Sequence, residues 1–186
     1  MAEGAGPGGP PPVRAPAVGR GAAWDPAARP GPTAGRLADP EDLTRGVARL
    51  FWLRGIAVLA EVPLPDGHRA DLVGIARDGS LWCVEIKVSA EDLRRDVKWQ
   101  AYRAWCDRFC WAVPAALAPW LDHPAYCPAE TGLVVADRHE AVMLREPAAV
   151  ALSPARRRAL TLRLARLGAA RLARAADPGF ERDCAV

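Results

Sequence analysis

Two carboxylates and one amine near the middle of the chain occupy positions where charged residues are uncommon. Asp71 and Glu85 each stand within an apolar run, and Lys87 follows Glu85 by two residues. A carboxylate inside an apolar strand must be paired, bind a metal or be exposed on one face. Because side chains two apart on a strand share a face, we expect Glu85 and Lys87 to point the same way.

Metal-assisted hydrolysis of a phosphodiester is the chemistry that such a set suits. The two carboxylates would hold Mg²⁺, or Mn²⁺ in its place, and the ion would keep several waters and take phosphate oxygens as further ligands. A bound ion lowers the pKa of its water and neutralises charge on the phosphate. Lys87 would orient the attacking water or stabilise the pentacovalent oxygens. The main-chain carbonyl of Ile86 lies between the two functional side chains and is a further candidate ligand.

Three strands and a preceding helix are expected to position these side chains. The helix is predicted to begin at the N-cap residue Asp39 and to end at Gly55. The strands are predicted over residues 56–64, 68–76 and 81–88. The short turns between them make neighbouring strands antiparallel, so the hairpin through residues 77–80 would bring Asp71 beside Glu85.

The second half of the chain is predicted to add helices and strands to the same domain. A long helix is expected after the capping-box pair Ser89 and Asp92, with an apolar face of Leu93, Val97, Ala101, Ala104 and Trp105. Further strands are predicted at 108–113, 131–137 and 141–146, with a loop over 114–130 and a last helix over 153–176. Residues 1–38 contain eight glycines and eight prolines and are predicted to be disordered, as are residues 177–186, which leaves one domain over 39–176.

Composition excludes several classes of protein. The net charge is +3 and the pI is about 8.7, a mildly basic balance that is weak evidence for nucleic acid. The five cysteines form no Cys-x-x-Cys pair and the three histidines do not cluster near them, which argues against a zinc site. The sequence shows neither a signal peptide nor an apolar run long enough to span a membrane, so we expect a cytoplasmic protein with free thiols.

Cationic side chains on two predicted helices and on the second strand are candidates for DNA contact. The candidate DNA-binding residues are Arg69, Arg94, Lys98, Tyr102, Arg156, Arg157 and Arg163. Lys98 and Tyr102 are four residues apart and lie on one side of their helix, where Lys98 would reach a phosphate. The last helix carries seven arginines and no acid before Asp177, a density that would suit a DNA backbone. A solvated cationic surface is the alternative in both places.

Several segments of the chain resemble one known family. The segments "TRGVARL", "EVPLPDGHRADLVGI", "VEIKVSAEDLRRDVKWQAYRAWCDRFCWAV" and "TGLVVAD" resemble the MmcB family of DNA repair proteins over residues 40–165. Asp71 with Glu85-x-Lys87 also resembles the motif of the PD-(D/E)XK nuclease superfamily. The resemblance implies an α/β fold with a restriction-endonuclease-like αβββαβ core, in which helices flank a mixed central sheet. It also implies Mg²⁺ as cofactor and DNA as substrate.

The chain departs from the superfamily motif at two places. Ala70 stands where the motif has proline, a common change. Many members carry an additional acid in the first helix, but here the middle of that helix holds none, and Glu61 on the first strand is the expected substitute ligand. This departure leaves open whether one or two ions bind.

Three functions remain open from the sequence. The first is a Mg²⁺-dependent DNA nuclease that acts in repair, and the second is a DNA-binding repair factor that has the same fold but no catalytic activity. The third is an interaction module in which Asp71 forms a structural ion pair with Lys87 or Arg69. The sequence does not decide between endonuclease and exonuclease activity, between monomer and homodimer, or whether other repair proteins are partners.

Overall fold

The computed structural model describes residues 39–96, 98–177 and 179. It shows an α/β fold in which one six-stranded mixed sheet is flanked by helices. The elements in chain order are α1 (Pro40–Leu53), β1 (Ile56–Pro63), β2 (Arg69–Ala76), β3 (Leu81–Ile86), α2 (Ala90–Arg95), α3 (Trp99–Arg103), β4 (Arg108–Val113), two 3₁₀ helices (Ala115–Asp122 and Pro124–Tyr126), β5 (Gly132–Ala136), β6 (Ala141–Arg145) and α4 (Pro154–Ala176). The predicted fold class is confirmed. The predictions for residues 1–38 and for most of the C-terminal tail lie outside the described residues.

The strands follow one another across the sheet in chain order, from β1 to β6. β1, β2 and β3 form antiparallel neighbours, as their short turns predict, and β5 with β6 form another antiparallel pair. β4 is parallel to both β3 and β5. A parallel neighbour requires a crossover, which α2 and α3 provide between β3 and β4.

Helix α1 forms where the sequence predicts it. The Asp39 side chain accepts a hydrogen bond from Glu41 N, and Pro40 occupies the first turn, where its missing N–H costs nothing. The chain leaves the helix at Gly55, whose φ of +73° favours glycine. The buried stripe of α1 packs on one face of the sheet through Leu43, Val47 and Phe51.

The opposite face of the sheet carries α2, α3, α4 and the longer 3₁₀ helix, and the functional side chains point toward it. Residues of β3 alternate between the two cores: Trp82, Val84 and Ile86 pack with α1, whereas Leu81 and Cys83 pack on the opposite face. By this alternation Glu85 and Lys87 belong to the same face as Leu81 and Cys83.

The prediction of one long helix after Ser89 is wrong, because α2 and α3 are separate. The backbone leaves helical geometry at Asp96 (φ −78°, ψ 92°) and helix resumes at Trp99. The Asp96 carboxylate accepts from Lys98 N at 2.9 Å and also contacts Lys87, so contacts with the sheet outweigh local helix propensity at this point. Of the predicted apolar face, Leu93 is buried and Val97 lies outside the described residues, while Trp99 and Tyr102 take the buried positions in α3.

The predicted loop over 114–130 is also more regular than expected. It contains both 3₁₀ helices, and the longer one buries Leu117, Trp120 and Leu121 against the aromatic core. Proline within Ala115–Asp122 lacks an N–H for a regular α-helix, which favours short 3₁₀ turns.

The predicted helix α4 is confirmed. The buried Asp107 carboxylate connects the N-terminal part of this helix to the sheet. Asp107 accepts hydrogen bonds from Leu81 N and Leu152 N and from both terminal nitrogens of Arg157. Leu160 and Leu164 then pack α4 onto the sheet. No helix within the described residues is long and apolar enough to cross a lipid bilayer.

Candidate active site

The pairing of β2 with β3 ends where the two predicted carboxylates stand. The ladder runs as far as the Leu72–Val84 pair. Beyond it, Asp71 Oδ2 accepts a hydrogen bond from Ile86 N at 2.8 Å, and Asp71 N donates to Glu85 Oε1 at 3.4 Å. Side-chain oxygens therefore satisfy the amides that a longer ladder would have paired. The hairpin brings Asp71 and Glu85 together, as predicted.

Lys87 completes the predicted group, and its ammonium is surrounded by carboxylates. Its Nζ lies 3.4 Å from Glu85 Oε2, 2.7 Å from Asp96 Oδ2 and 3.9 Å from Asp92 Oδ1. The Lys87 and Asp96 side chains are 10% and 8% exposed, so this contact is shielded from water. Neither aspartate was predicted as a site residue. Asp92 and Asp96 are four residues apart, a spacing that sets two side chains on the same face of a helix, and this was the available signal.

The Lys87 ammonium is outnumbered by the carboxylates in contact with it. Burial, and then the neighbouring Asp71 carboxylate, raise the pKa of Glu85 to about 8. Burial also raises the pKa of Asp71, although the Ile86 amide opposes the shift. Burial alone would lower the pKa of Lys87, but Asp96 and Glu85 outweigh it and raise that pKa, so Lys87 stays an ammonium. One ammonium therefore leaves the carboxylates undercompensated, a condition that a bound cation would relieve.

The available ligands fit Mg²⁺ better than a metal ion whose ligands must all come from the protein. Within the described part of the chain, no group of three or more His, Cys, Asp or Glu side chains is arranged to hold a metal ion. Asp71 and Glu85 together offer two carboxylates at the floor of an open cleft of about 300 Å³. Mg²⁺ is commonly held by one or two carboxylates while it keeps several waters. The ligand role predicted for the Ile86 carbonyl stays a prediction.

Glu61, the predicted substitute ligand, lies opposite Asp71 on the edge strand. Its neighbours Ala60 and Val62 pair with Leu72 and Ala70, which places Glu61 across from Asp71. The Glu61 carboxylate is half-exposed and contacts Arg69 Nε at 2.7 Å, yet it is close enough to help raise the pKa of Asp71. Its role as an ion ligand stays a prediction.

The backbone of β1 is irregular at this same residue. Ala60 packs with Leu72 in the core under α1, whereas Val62 packs with Ala70 in the opposite core. Residues two apart on a regular strand share a face, so the pleat is broken between them. Glu61 has a φ of +51°, a left-handed conformation that costs a non-glycine residue about 1–2 kcal/mol. Strain of this kind persists only where surrounding contacts enforce it.

Cations and one hydroxyl group line the cleft around the carboxylates. The cleft is lined by Arg69, Asp71, Glu85, Lys87, Asp92, Arg95, Asp96, Lys98 and Tyr102. Burial, followed by the charges of Glu85 and Asp96, raises the pKa of Tyr102 to about 12, so its hydroxyl keeps its proton. Of the predicted DNA-binding residues, the structure thus brings Arg69, Lys98 and Tyr102 to the candidate site.

The other four predicted DNA-binding arginines make contacts elsewhere. Arg94 lies over the Trp120 ring, with its guanidinium carbon 5.7 Å from the ring centroid. Arg156 lies over the Trp105 ring and donates to Ala104 O, Arg157 binds Asp107, and Arg163 donates to Pro63 O. Arg157 therefore has a structural partner that accounts for its position, and a DNA role for these four residues stays a prediction.

Comparison with known proteins decides the family. A family model described as "DNA repair protein MmcB-like" matches residues 30–179. The chain belongs to the MmcB-like family. This membership confirms the resemblance to the MmcB family, whereas the PD-(D/E)XK resemblance stays a prediction. It supports a role in DNA repair, and with it an interaction with DNA.

A solved structure shares the fold of this MmcB-like chain. It is the SPO1766 protein of unknown function from Silicibacter pomeroyi, with 38% sequence identity and a TM-score of 0.66. The similarity covers 75% of this chain and 92% of that one. No curated protein matches the chain.

Proposed function

We propose that this MmcB-like protein is a Mg²⁺-dependent DNA nuclease of the PD-(D/E)XK type that hydrolyses phosphodiester bonds during repair. The observation that carries the proposal is the convergence of Asp71, Glu85 and Lys87 in an open cleft, where three carboxylates lie within 3.9 Å of the single Lys87 ammonium. Membership of a DNA repair family supports DNA as the substrate.

The carboxylates of the cleft are suited to hold one divalent ion. Asp71 is oriented by the hydrogen bond from Ile86 N to its Oδ2, and Glu85 is fixed between Asp71 N and Lys87. Because both carboxylates are held in place by hydrogen bonds, they would need little rearrangement to bind an ion together. When bound, Mg²⁺ would supply an activated water and neutralise charge on the phosphate.

Lys87 acts as a fixed positive charge rather than as a base. Asp96 and Glu85 keep its amine protonated, so it would donate hydrogen bonds to the reacting phosphate and stabilise the charge that develops there. Lys98 and Arg69 at the rim would contact neighbouring phosphates. The Tyr102 hydroxyl, which keeps its proton, would donate a further hydrogen bond.

A DNA-binding repair factor without catalytic activity is the second candidate. The observation that favours it is the 2.7 Å contact between Lys87 and Asp96, because an ammonium already engaged by a carboxylate is less free to contact a phosphate. A structural cluster of this kind would keep the protein folded and leave DNA binding to the cations outside the cleft.

A cleavage assay separates the two candidates. Labelled duplex, single-stranded and branched DNA would be incubated with the wild type and with Asp71→Asn, Glu85→Gln and Lys87→Ala, each in Mg²⁺, Mn²⁺ and EDTA. We expect metal-dependent cleavage by the wild type and a loss of about 10²-fold or more in each variant. Glu146→Gln is a matched control, because Glu146 is an exposed acid that pairs with Arg54, and neither residue lines this cleft. DNA binding without cleavage in either metal would support the second candidate.

A further inference from the structure

The β1 edge of the sheet is held by an arginine from the far end of α4. Arg171 Nη1 donates to Ala60 O at 2.6 Å, and its Nη2 donates to Glu61 O at 3.1 Å. Arg171 continues the stripe of Leu160, Leu164 and Leu167 at helical spacing, so the helix directs its half-buried side chain toward the sheet. The contact is thus a consequence of how α4 packs.

The two carbonyls bound by Arg171 belong to the irregular part of β1. In a regular strand, consecutive carbonyls point to opposite edges, so one side chain cannot bind both. The left-handed conformation of Glu61 turns them to the same side. The planar fork of a guanidinium, with two parallel N–H donors, matches this pair of oxygens, whereas the single ammonium of a lysine does not.

This irregularity lies directly beside the candidate ion site. Glu61 stands opposite Asp71, and its carboxylate contacts Arg69, another residue of the cleft. The facing residues Ala70 and Leu72 of β2 also pack in opposite cores, so the pleat changes on both strands. Without the contacts from Arg171, we expect this pleat to become regular and the Glu61 side chain to turn to a different face. The pairing of β1 with β2 would then shift the backbone of Asp71, whose side chain holds Ile86 N.

We infer that Arg171 is a positioning residue for the ion site, which it serves by holding β1 in the conformation that sets Glu61 against Asp71. The inference rests on the proposed function, since it concerns the same ion. It assigns to one arginine of α4 a role in the site that is distinct from contact with DNA.

Calorimetric titration with Mn²⁺ in the absence of DNA tests this role, because a weakened interaction with DNA cannot then mimic the effect. The wild type would be compared with Arg171→Ala and Arg171→Lys, and with Arg158→Ala as a matched control on an exposed position of the same helix. We expect Arg171→Ala to bind Mn²⁺ about 10-fold more weakly or worse, as is typical when an outer-shell partner is removed. Arg171→Lys, which can satisfy one carbonyl at a time, should fall between wild type and alanine, and Arg158→Ala should match the wild type.

The melting temperature separates positioning from general stability. If Arg171 only fastened α4, its replacement would lower the melting temperature and leave the Mn²⁺ affinity of the folded protein unchanged, and this result would overturn the inference. Arg171→Gln keeps two of the three methylenes of the stem while removing the guanidinium fork, and it decides the matter if the alanine variant does not fold. A wild type that binds no Mn²⁺ would refute the proposed function and the inference together. Equal Mn²⁺ binding by the wild type and Arg171→Ala would refute the inference alone.

Discussion

Two buried acid clusters in this protein contain similar side chains but differ in how their charges are compensated. Asp107 has one guanidinium and two amides as partners, with donor distances of 2.6–2.9 Å. Glu85 shares a single ammonium with Asp92 and Asp96 and lies against a further carboxylate. Burial would raise the pKa of Asp107, but Arg157 and the amides outweigh it and lower that pKa, whereas the pKa of Glu85 rises to about 8.

The difference separates a structural cluster from a functional one. A buried carboxylate whose oxygens are all satisfied stabilises the fold and has no need of a further ligand. A cluster that lacks positive charge costs stability unless something outside the polypeptide supplies that charge. By this criterion the Asp107 cluster joins α4 to the sheet, and the Glu85 cluster has the charge balance that the proposed cation would relieve.

The largest effect on stability is expected at the fully compensated cluster. Asp107→Ala would leave Leu81 N and Leu152 N without their acceptor and Arg157 without its carboxylate partner, so the free energy of unfolding should fall by about 3 kcal/mol. Urea denaturation measures this loss. Asp122→Ala is the control, because Asp122 forms an exposed ion pair with Arg145 that should contribute at most about 1 kcal/mol. Equal losses in both variants would show that the Asp107 cluster has no special structural role.

At the Glu85 cluster, removal of the acid should raise stability at high pH rather than lower it. The pKa of Glu85 is about 8 in the folded protein and about 4.3 in an unfolded chain, so the folded state binds more protons between these values. Stability of the metal-free wild type should therefore fall as pH rises through this window, and Glu85→Gln should escape the loss. We expect the variant to become the more stable protein at pH 8, by more than about 1 kcal/mol. Parallel stability curves for the two proteins from pH 5 to 8 would contradict the charge imbalance.

The convergence of Asp71, Glu85 and Lys87 could be predicted from the sequence because it depends on local rules. Alternation along β3 sets Glu85 and Lys87 on one face, and a short hairpin sets the register of β2 against β3. The first and last helices were predicted for similar reasons, since an N-cap residue and an apolar stripe mark each of them.

The partners of Asp96 and Asp107 could not be predicted in this way, because each contact depends on how separate elements pack together. The helix breaks at Asp96, whose carboxylate contacts Lys87 and accepts a hydrogen bond from Lys98 N. Asp107 binds residues 26, 45 and 50 positions away along the chain. The left-handed conformation of Glu61 likewise has no local signal, since Arg171 contacts its carbonyl from a distance of 110 residues.

A smaller effect is expected from the arginines of α4 that lie outside both clusters. Replacing Arg156 and Arg163 together by alanine should weaken binding to all DNA sequences alike and lower the slope of log affinity against log salt by about one unit for each phosphate that is no longer neutralised. Arg157 is excluded from this variant because its replacement would disrupt the Asp107 cluster. An unchanged salt slope in a fluorescence-anisotropy titration would show that these arginines serve only to bind Ala104 and Pro63.

The ion site is tested most directly by calorimetric titration of the metal-free protein with Mn²⁺ at neutral pH, performed on the wild type, Asp71→Asn and Asp107→Asn. We predict saturable binding by the wild type, clearly weaker binding by Asp71→Asn, and unchanged affinity in the folded fraction of Asp107→Asn. This pattern would assign the cation to the cluster in which a single ammonium faces several carboxylates. Absence of binding by the wild type, or equal binding by the wild type and Asp71→Asn, would contradict the claim that Asp71 and Glu85 hold a divalent ion.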